Sequence, residues 1–396
     1  MRFFYLLLLL SFKFIGGYGQ IADKSWYGTG QGDEFVLNTV GELYGFAELI
    51  NEGESFKGKV IRLGQDIQLN DTTGWESWDS KTKGMRRWIA AGTPDSPFEG
   101  VFDGQGHTVS GLFLNTETNG FYQGFFGYIS GAEIRNMTLS NSSVRGYNFV
   151  GAIAGYAVNK SQIINCHNDG IVSAARSFAG GVVGFSLAEC LIDGSSNGGN
   201  VSAGRNAGGM AGYGGSLNVL NSFNTGAITC RYENAGGLFG IFEEYSHRDD
   251  VIVANCYNTG TVRARDVVGG LVGYIILYDM TGRVRFANCY SAGRLISRYP
   301  VVTDGLIGCY TYNVGVNVHT VVMRLNRYAD PCYWNANSCT IQQINYPRFN
   351  KRIDQMQWVD FCSNQQQSPR KFLEMTDDEM LSQEFIDRLN KWGDKE

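Results

Sequence analysis

The chain is poor in several things that would point to common functions. It has 6 Pro and 4 His in 396 residues, and its 33 Lys and Arg stand against 38 Asp and Glu for a net charge of −5. That balance gives no electrostatic footprint for nucleic acid or an anionic membrane. No pair of Cys-x-x-Cys elements occurs among its 9 cysteines, so a structural zinc site is not expected, and nothing else implies a cofactor. The one long apolar run, residues 3–12, is too short to span a bilayer. It follows Met1 and Arg2, and Gly17 and Gly19 stand at minus three and minus one to a cut before Gln20. The run therefore reads as a Sec signal peptide, residues 1–19, and the mature chain is expected to be exported and not inserted in a membrane.

What the chain has in quantity is glycine, 52 residues, much of it in one recurring phrase. Residues 267–274 read VVGGLVGY, and related versions read GFFGY at 124–128, VGAIAGY at 150–156, GGVVGF at 180–185, GGMAGY at 208–213, GGLFGI at 236–241 and GLIG at 305–308. The closing glycines fall at 127, 155, 184, 212, 240, 273 and 308, so the steps are 28, 29, 28, 28, 33 and 35 residues. A fixed period of this size means one supersecondary unit stacked on copies of itself, with later copies absorbing insertions.

A second phrase keeps step: NCHNDG at 165–170, GSSNGG at 194–199, NSFNTG at 221–226, NCYNTG at 255–260 and NCYSAG at 288–293. Each leads into a β-branched pair such as Ile171 and Val172. Asn and Gly tolerate positive φ at corners. No stretch inside the period keeps a 3.6-residue apolar pattern long enough for a helix. The expectation is an all-β, right-handed parallel β-helix of coils of about 28 residues and three strands, with short helical caps at both ends. The small residues Cys166, Ser195, Ser222, Cys256 and Cys289 would then form a ladder about 4.8 Å apart.

The repeats resemble the GLUG motif of secreted and surface bacterial β-helix proteins, and residues 101–112, VFDGQGHTVSGL, resemble the phrase that precedes the first such repeat. The resemblance spans roughly residues 35 to 390. It implies the β-helix fold and a surface or secreted setting, with adhesion-like roles and no assigned reaction. Ile241 in place of the aromatic and Asp304 in place of the first Gly depart from the pattern, which suggests irregular last coils.

The organisation that follows is a cap at 20–58, the β-helix at 59–320 and a C-terminal cap at 321–396. Thr39 and Glu42 form a capping box, and Leu43, Phe46, Ala47 and Ile50 recur at helical spacing. A helix there would cover the open end of the tube, whose unpaired backbone invites another chain. At the far end residues 330–334 read as a last ladder step. A capping box and a Met375–Met380 staple open a helix to about Asn390; the alternative for this end is a sorting signal read by a secretion machine.

Residues 71–97 interrupt the pattern with Trp75, Trp78, Arg86, Arg87 and Trp88. They are either a ligand-contacting loop, since Trp and Arg are enriched in binding hot spots, or a flap that shields the first coils. Trp88 belongs to the shielding reading, and Trp75, Trp78 and Arg86 remain candidate contacts.

Nine cysteines in an exported chain usually mean disulfides. Here the ladder position accepts Ser as readily as Cys, which favours buried free thiols. Cys332 with Cys339 is the best pairing candidate, while Cys190, Cys230, Cys309 and Cys362 carry no clear signal.

Chemistry is thinly supported. A glycosidase needs two carboxylates about one linkage, and a polysaccharide lyase needs a base beside a uronate. The candidates are Asp249 with Asp250, in the rich loop 243–250, and Asp377 with Asp378 at a helix start. Asp103 and His107 read as a strand-corner turn, and His167 points away from Cys166. No catalytic role is assigned.

Recognition remains. Leu271 and Val272 are neighbours that are both apolar in every copy, and strand neighbours face opposite sides, so one apolar column is expected outside the tube. Tyr128, Tyr156, Phe185, Tyr213 and Tyr274 should stack into an aromatic row, structural or binding. With Trp75, Trp78 and Arg86, the residues Tyr156, Tyr213 and Tyr274 are the candidate contacts for a glycan or a cell-surface protein. A surface protein without a ligand is the other reading.

Overall fold

The computed structural model describes residues 22–28, 32–244, 251–277, 284–287, 289–297, 303–304, 306–312, 333–335, 339–341 and 373–375. The stretch 1–19 read as a signal peptide, the loop aspartates at 249–250 and the helix expected at 376–390 lie outside them.

The chain winds into a right-handed parallel β-helix of about nine turns. Among the described residues, every ladder between strands is parallel and joins successive coils in register. Leu191–Asp193 lies between Gln162–Asn168 and Asn218–Leu220, and Val201–Ala203 between Ile171–Ala174 and Ile228–Cys230. Each coil is divided more finely than the expected three strands. Its segments feed four sheets, one of 17 strands, one of 8 and two of 7. The extra corner falls inside the glycine phrase, between Asn206–Gly208 and Ala211–Gly215. A Cβ on Gly208 would collide with the Ala211 carbonyl oxygen, so only glycine lets the chain turn so sharply there.

That corner corrects the expected outer apolar column. Leu271 and Val272 are both fully buried, as are Val182 with Val183, Met210 with Ala211, and Leu238 with Phe239. Strand alternation does not apply across a bend. The first residue of each pair sits on the bend and the second opens the next strand, and both point into the tube.

Inside the tube the small-residue ladder is present. Cys166, Ser195, Ser222, Cys256 and Cys289 are each 0% exposed, and Met137 is in register with Cys166 one coil earlier. The Ser195 hydroxyl accepts from the Cys166 backbone N–H at 3.1 Å, and that of Ser222 from Ser195 at 3.0 Å. Cys166, Cys190, Cys230, Cys256 and Cys289 are free thiols. Cys309, Cys332, Cys339 and Cys362 have no described side chain.

The Asn residues of the second phrase split into two roles. Asn165, Asn221 and Asn255 have φ of 51°, 49° and 55°, with Gly194 at 59° in the coil between, as the corner reading requires. The later Asn of each phrase does something the sequence reading missed. Asn168, Asn197, Asn224 and Asn258 are fully buried, and each side-chain N–H of the first three donates to the next Oδ1 at 2.7 Å. Each amide also donates to the carbonyl two residues on, at 2.8–3.1 Å. A continuous polar spine therefore runs within the apolar core with its donors satisfied.

The N-terminal end is closed as expected. Val40–Asn51 is a helix with Thr39 as N-cap, and the Thr39–Glu42 capping box is formed in both directions. Leu43, Phe46 and Ile50 are fully buried, and the Phe46 ring meets Phe56, Phe98, Phe102 and Phe126. The ladder starts before this helix, because Glu34–Leu37 pairs with Val60–Leu63. It also continues past residue 320: Tyr333–Asn335 pairs with Tyr290–Ser291, Cys339–Ile341 with Leu295–Ser297, and Leu373–Met375 with Tyr333–Asn335.

Candidate recognition surface

The strand after the glycine corner carries an aromatic in each of four successive coils. Because coils stack in register, Tyr128, Tyr156, Phe185 and Tyr213 are direct partners. Their rings lie nearly parallel, with centroids 4.9, 4.9 and 4.1 Å apart, close to the spacing of neighbouring strands. The row then breaks, since Tyr213 is in register with Ile241 and only the next coil restores Tyr274.

A second aromatic column, not foreseen from the sequence, stands beside the first. Tyr122, Phe149 and Phe178 stack at 5.4 and 5.7 Å. They meet the first column edge-on: Phe149 to Phe185 at 5.1 Å and 79°, and Phe178 to Phe185 at 5.1 Å and 82°. Edge-to-face pairs contribute about 0.5–1.5 kcal/mol each beyond area burial. Tyr122 and Phe149 have φ of 57° and 56°, a left-handed backbone that bulky residues adopt only when their surroundings enforce it. The sequence signal was available: 122, 149 and 178 each stand two residues before the first glycine of a repeat.

Apart from buried Tyr213, these rings are half-buried and present a herringbone face to solvent. Burial pushes the Tyr156 hydroxyl up to about 12, with Tyr128 and Tyr122 adding to the effect. It stays protonated at neutral pH, able both to donate and to accept.

The candidate contacts of the tryptophan loop sit differently. Trp75 begins a short 3-10 turn, Trp75–Ser77, and is half-buried. Trp78 is 4% exposed and packs edge-on against Phe113 at 5.7 Å, which removes its faces from any ligand. The Arg86 guanidinium lies 3.5 Å from the Tyr44 ring centroid, tying the loop to the cap helix. Trp88 stacks on Phe125 at 5.1 Å and donates its indole N–H to the Phe125 carbonyl. Trp78, Arg86 and Trp88 therefore serve as a shield over the first coils, and the contact role read for Trp78 and Arg86 does not fit their packing. The structure does not bring them into the herringbone.

The carboxylates also have structural partners. Asp103 is 3% exposed and accepts from the Gln105 N–H at 3.0 Å, Asn136 Nδ2 at 3.1 Å and Arg135 Nε at 2.9 Å. Burial alone would raise its carboxyl, but these donors hold it below the usual range. His107 pairs with Asp66 at 3.1 Å, and His167 with Ser196 at 2.8 Å. Glu243 and Glu244, read as the start of the loop 243–250, are the end of the strand Phe239–Glu244 and are buried. Glu243 takes the Tyr213 hydroxyl hydrogen bond. No group of three or more metal-ligating side chains occurs among the described residues.

The architecture recurs in a solved structure. It is the crystal structure of "a putative immunoglobulin A1 protease from Bacteroides ovatus", with a TM-score of 0.53 over 91% of this chain and 87% of that one. At 18% identity the likeness is one of fold. No family model matches the sequence, and no curated protein is significantly similar to it.

A further column lies on the broad sheet, where Phe223, Tyr257 and Tyr290 stack at 4.7 and 5.0 Å. They are in register with Ser196 and His167 in the earlier coils. These rings are half-buried, and burial lifts the Tyr290 hydroxyl to about 12, with Tyr257 adding to the effect.

Proposed function

We propose that this chain is an exported or cell-surface recognition protein of GLUG-repeat type whose herringbone face binds glycans or a cell-surface partner. The observation that carries the reading is the doubled aromatic column, with rings half-exposed on successive coils and two of them held on left-handed backbone. Flat rings repeated along one axis offer stacking platforms to consecutive sugar units. Export rests on the signal-like leader, and N-terminal sequencing of the extracellular fraction tests it. No reaction is assigned, and the description of the Bacteroides ovatus protein is not carried over.

The test is a glycan array and a cell-attachment assay with the mature protein and the Phe149→Ala/Tyr156→Ala variant. Binding should weaken by roughly tenfold or more, the equivalent of about 1.4 kcal/mol, while the circular dichroism spectrum holds. Unchanged binding in the folded double variant would move the contact face to Phe223, Tyr257 and Tyr290. A second reading, a surface protein without a ligand, is favoured by the close mutual packing of the rings. It expects the variant to lose melting temperature and nothing else.

A further inference from the structure

The sheet next to the herringbone carries an unusual outer row. In register, coil by coil, it reads Arg145, Ser173, Ser202, Thr229 and Arg263, with Ser202 and Ser173 hydroxyls 3.0 Å apart. Along the corner that leads to the aromatic columns, Arg176, Arg205 and Arg231 are exposed, as is Arg263. Arg176 stands two residues before Phe178, with its guanidinium 5.8 Å from the Tyr147 ring. Tyr147 in turn meets Phe121 edge-on at 5.8 Å. The arginine strip and the ring face are thus one continuous surface.

The strip's charge departs from that of the whole chain. Six guanidinium groups share it with three carboxylates, Glu117 at 3.7 Å from Arg145, Glu233 at 3.4 Å from Arg205 and Asp266 at 2.8 Å from Arg265. Among the described residues no carboxylate pairs with Arg176, Arg231 or Arg263. All six cations are arginine, whose planar fork matches the paired oxygens of a carboxylate or sulfate, where lysine offers only a point charge. Coils about 4.8 Å apart space the guanidiniums and hydroxyls along the solenoid axis.

We propose that this strip and the adjoining rings bind an anionic glycan, a chain bearing uronate carboxylates or sulfate esters, laid along the axis with its sugar faces on the rings and its charges on the arginines. The proposal rests on the glycan reading of the ring face and names the class of glycan.

The experiment measures binding of the mature protein to polygalacturonate, dextran sulfate, neutral dextran and double-stranded DNA. Polygalacturonate or dextran sulfate should bind, and which of them does identifies the carboxylate or the sulfate as the charge recognised. Affinity should fall as salt is raised. Arg176→Gln and Arg263→Gln should each weaken it by about tenfold, with circular dichroism unchanged because both side chains are exposed. Equal binding of neutral dextran, unaffected by the Gln variants, would overturn the arginine assignment and leave the ring reading standing. Loss in the Gln variants with no loss in Tyr156→Ala would do the reverse. Preference for DNA, or no binding to any of the four, would overturn the proposal.

Discussion

Replacing Asn197 with alanine removes one rung from the middle of the buried amide spine. In the folded chain its Nδ2 donates to Gly199 O at 2.8 Å and to Asn224 Oδ1 at 2.7 Å, and its Oδ1 accepts from Asn168 at 2.7 Å. The substitution orphans the Gly199 carbonyl and the Asn224 oxygen, while the Asn168 Nδ2 keeps only its bond to Gly170 O at 3.1 Å. All four asparagines are fully buried, so water cannot take the vacated places. At about 1–3 kcal/mol for each buried group left without a partner, the loss should be about 3–5 kcal/mol. With a urea slope of about 3 kcal/mol/M, the unfolding midpoint should drop by about 1–1.7 M. Asn197→Asp should be at least as damaging at neutral pH, because an oxygen then faces both Gly199 O and Asn224 Oδ1, and should recover partly when the carboxyl is protonated. Thr225→Ala, on the exposed turn beside the next rung, should stay within about 0.5 kcal/mol. A midpoint shift for Asn197→Ala no larger than that of Thr225→Ala would refute the view that the spine is a fully satisfied network.

Four other outcomes follow from the packing and the buried charges. Cys256→Ser should cost little, since Ser222 fills the preceding rung, whereas Cys256→Leu should overpack the column at about 1–3 kcal/mol. The native thiols of Cys166, Cys230 and Cys256, all pushed up by burial, should resist alkylation at pH 8 until denaturant is added. Trp78→Ala and Trp88→Ala should destabilise by about 3–5 kcal/mol in thermal melts while glycan attachment of the folded fraction holds; reduced attachment at unchanged stability would return these residues to the binding surface. Asp103 has a folded pKa below its ordinary 3.8, so its ionised form stabilises the fold above that pH and the contribution is lost as pH falls through the folded value. Asp103→Asn should therefore show its full loss of urea midpoint at pH 7 and a smaller one below pH about 3.8.

Periodicity made the fold legible. Glycines that recur at a near-constant step report a stacked coil without any knowledge of contacts, and the Cys/Ser alternation at 166, 195, 222, 256 and 289 reports a position limited by size. What escaped the reading depends on geometry that periodicity does not encode. Leu271 and Val272 looked like strand neighbours because nothing in their identities marks a bend between them. Asn168 and its equivalents looked like turn residues, since Asn serves turns and buried ladders with the same side chain. Trp78 looked like a contact because the distance that decides its burial, to Phe113, spans 35 positions of sequence. The Tyr122, Phe149 and Phe178 column was visible as a spacing, but only its perpendicular packing against Tyr156 and Phe185 makes it a surface.

The amide spine also bears on how such a chain can change length over generations. Each rung takes one bond from the coil before and gives one to the coil after, and every rung is the same residue in the same setting. Excising the 28 residues from Phe185 to Gly212 would bring Asn168 against Asn224 with donor and acceptor already matched. Duplication of the same stretch would insert a rung that fits both neighbours. Slippage or unequal recombination in whole-coil units thus passes through foldable intermediates, while a cut of half a coil would strand an amide in the core. Rungs 29 and 27 residues apart are followed by one 34 residues apart, from Asn224 to Asn258, with the same 2.7 Å contact, so sequence added between rungs leaves the spine undisturbed.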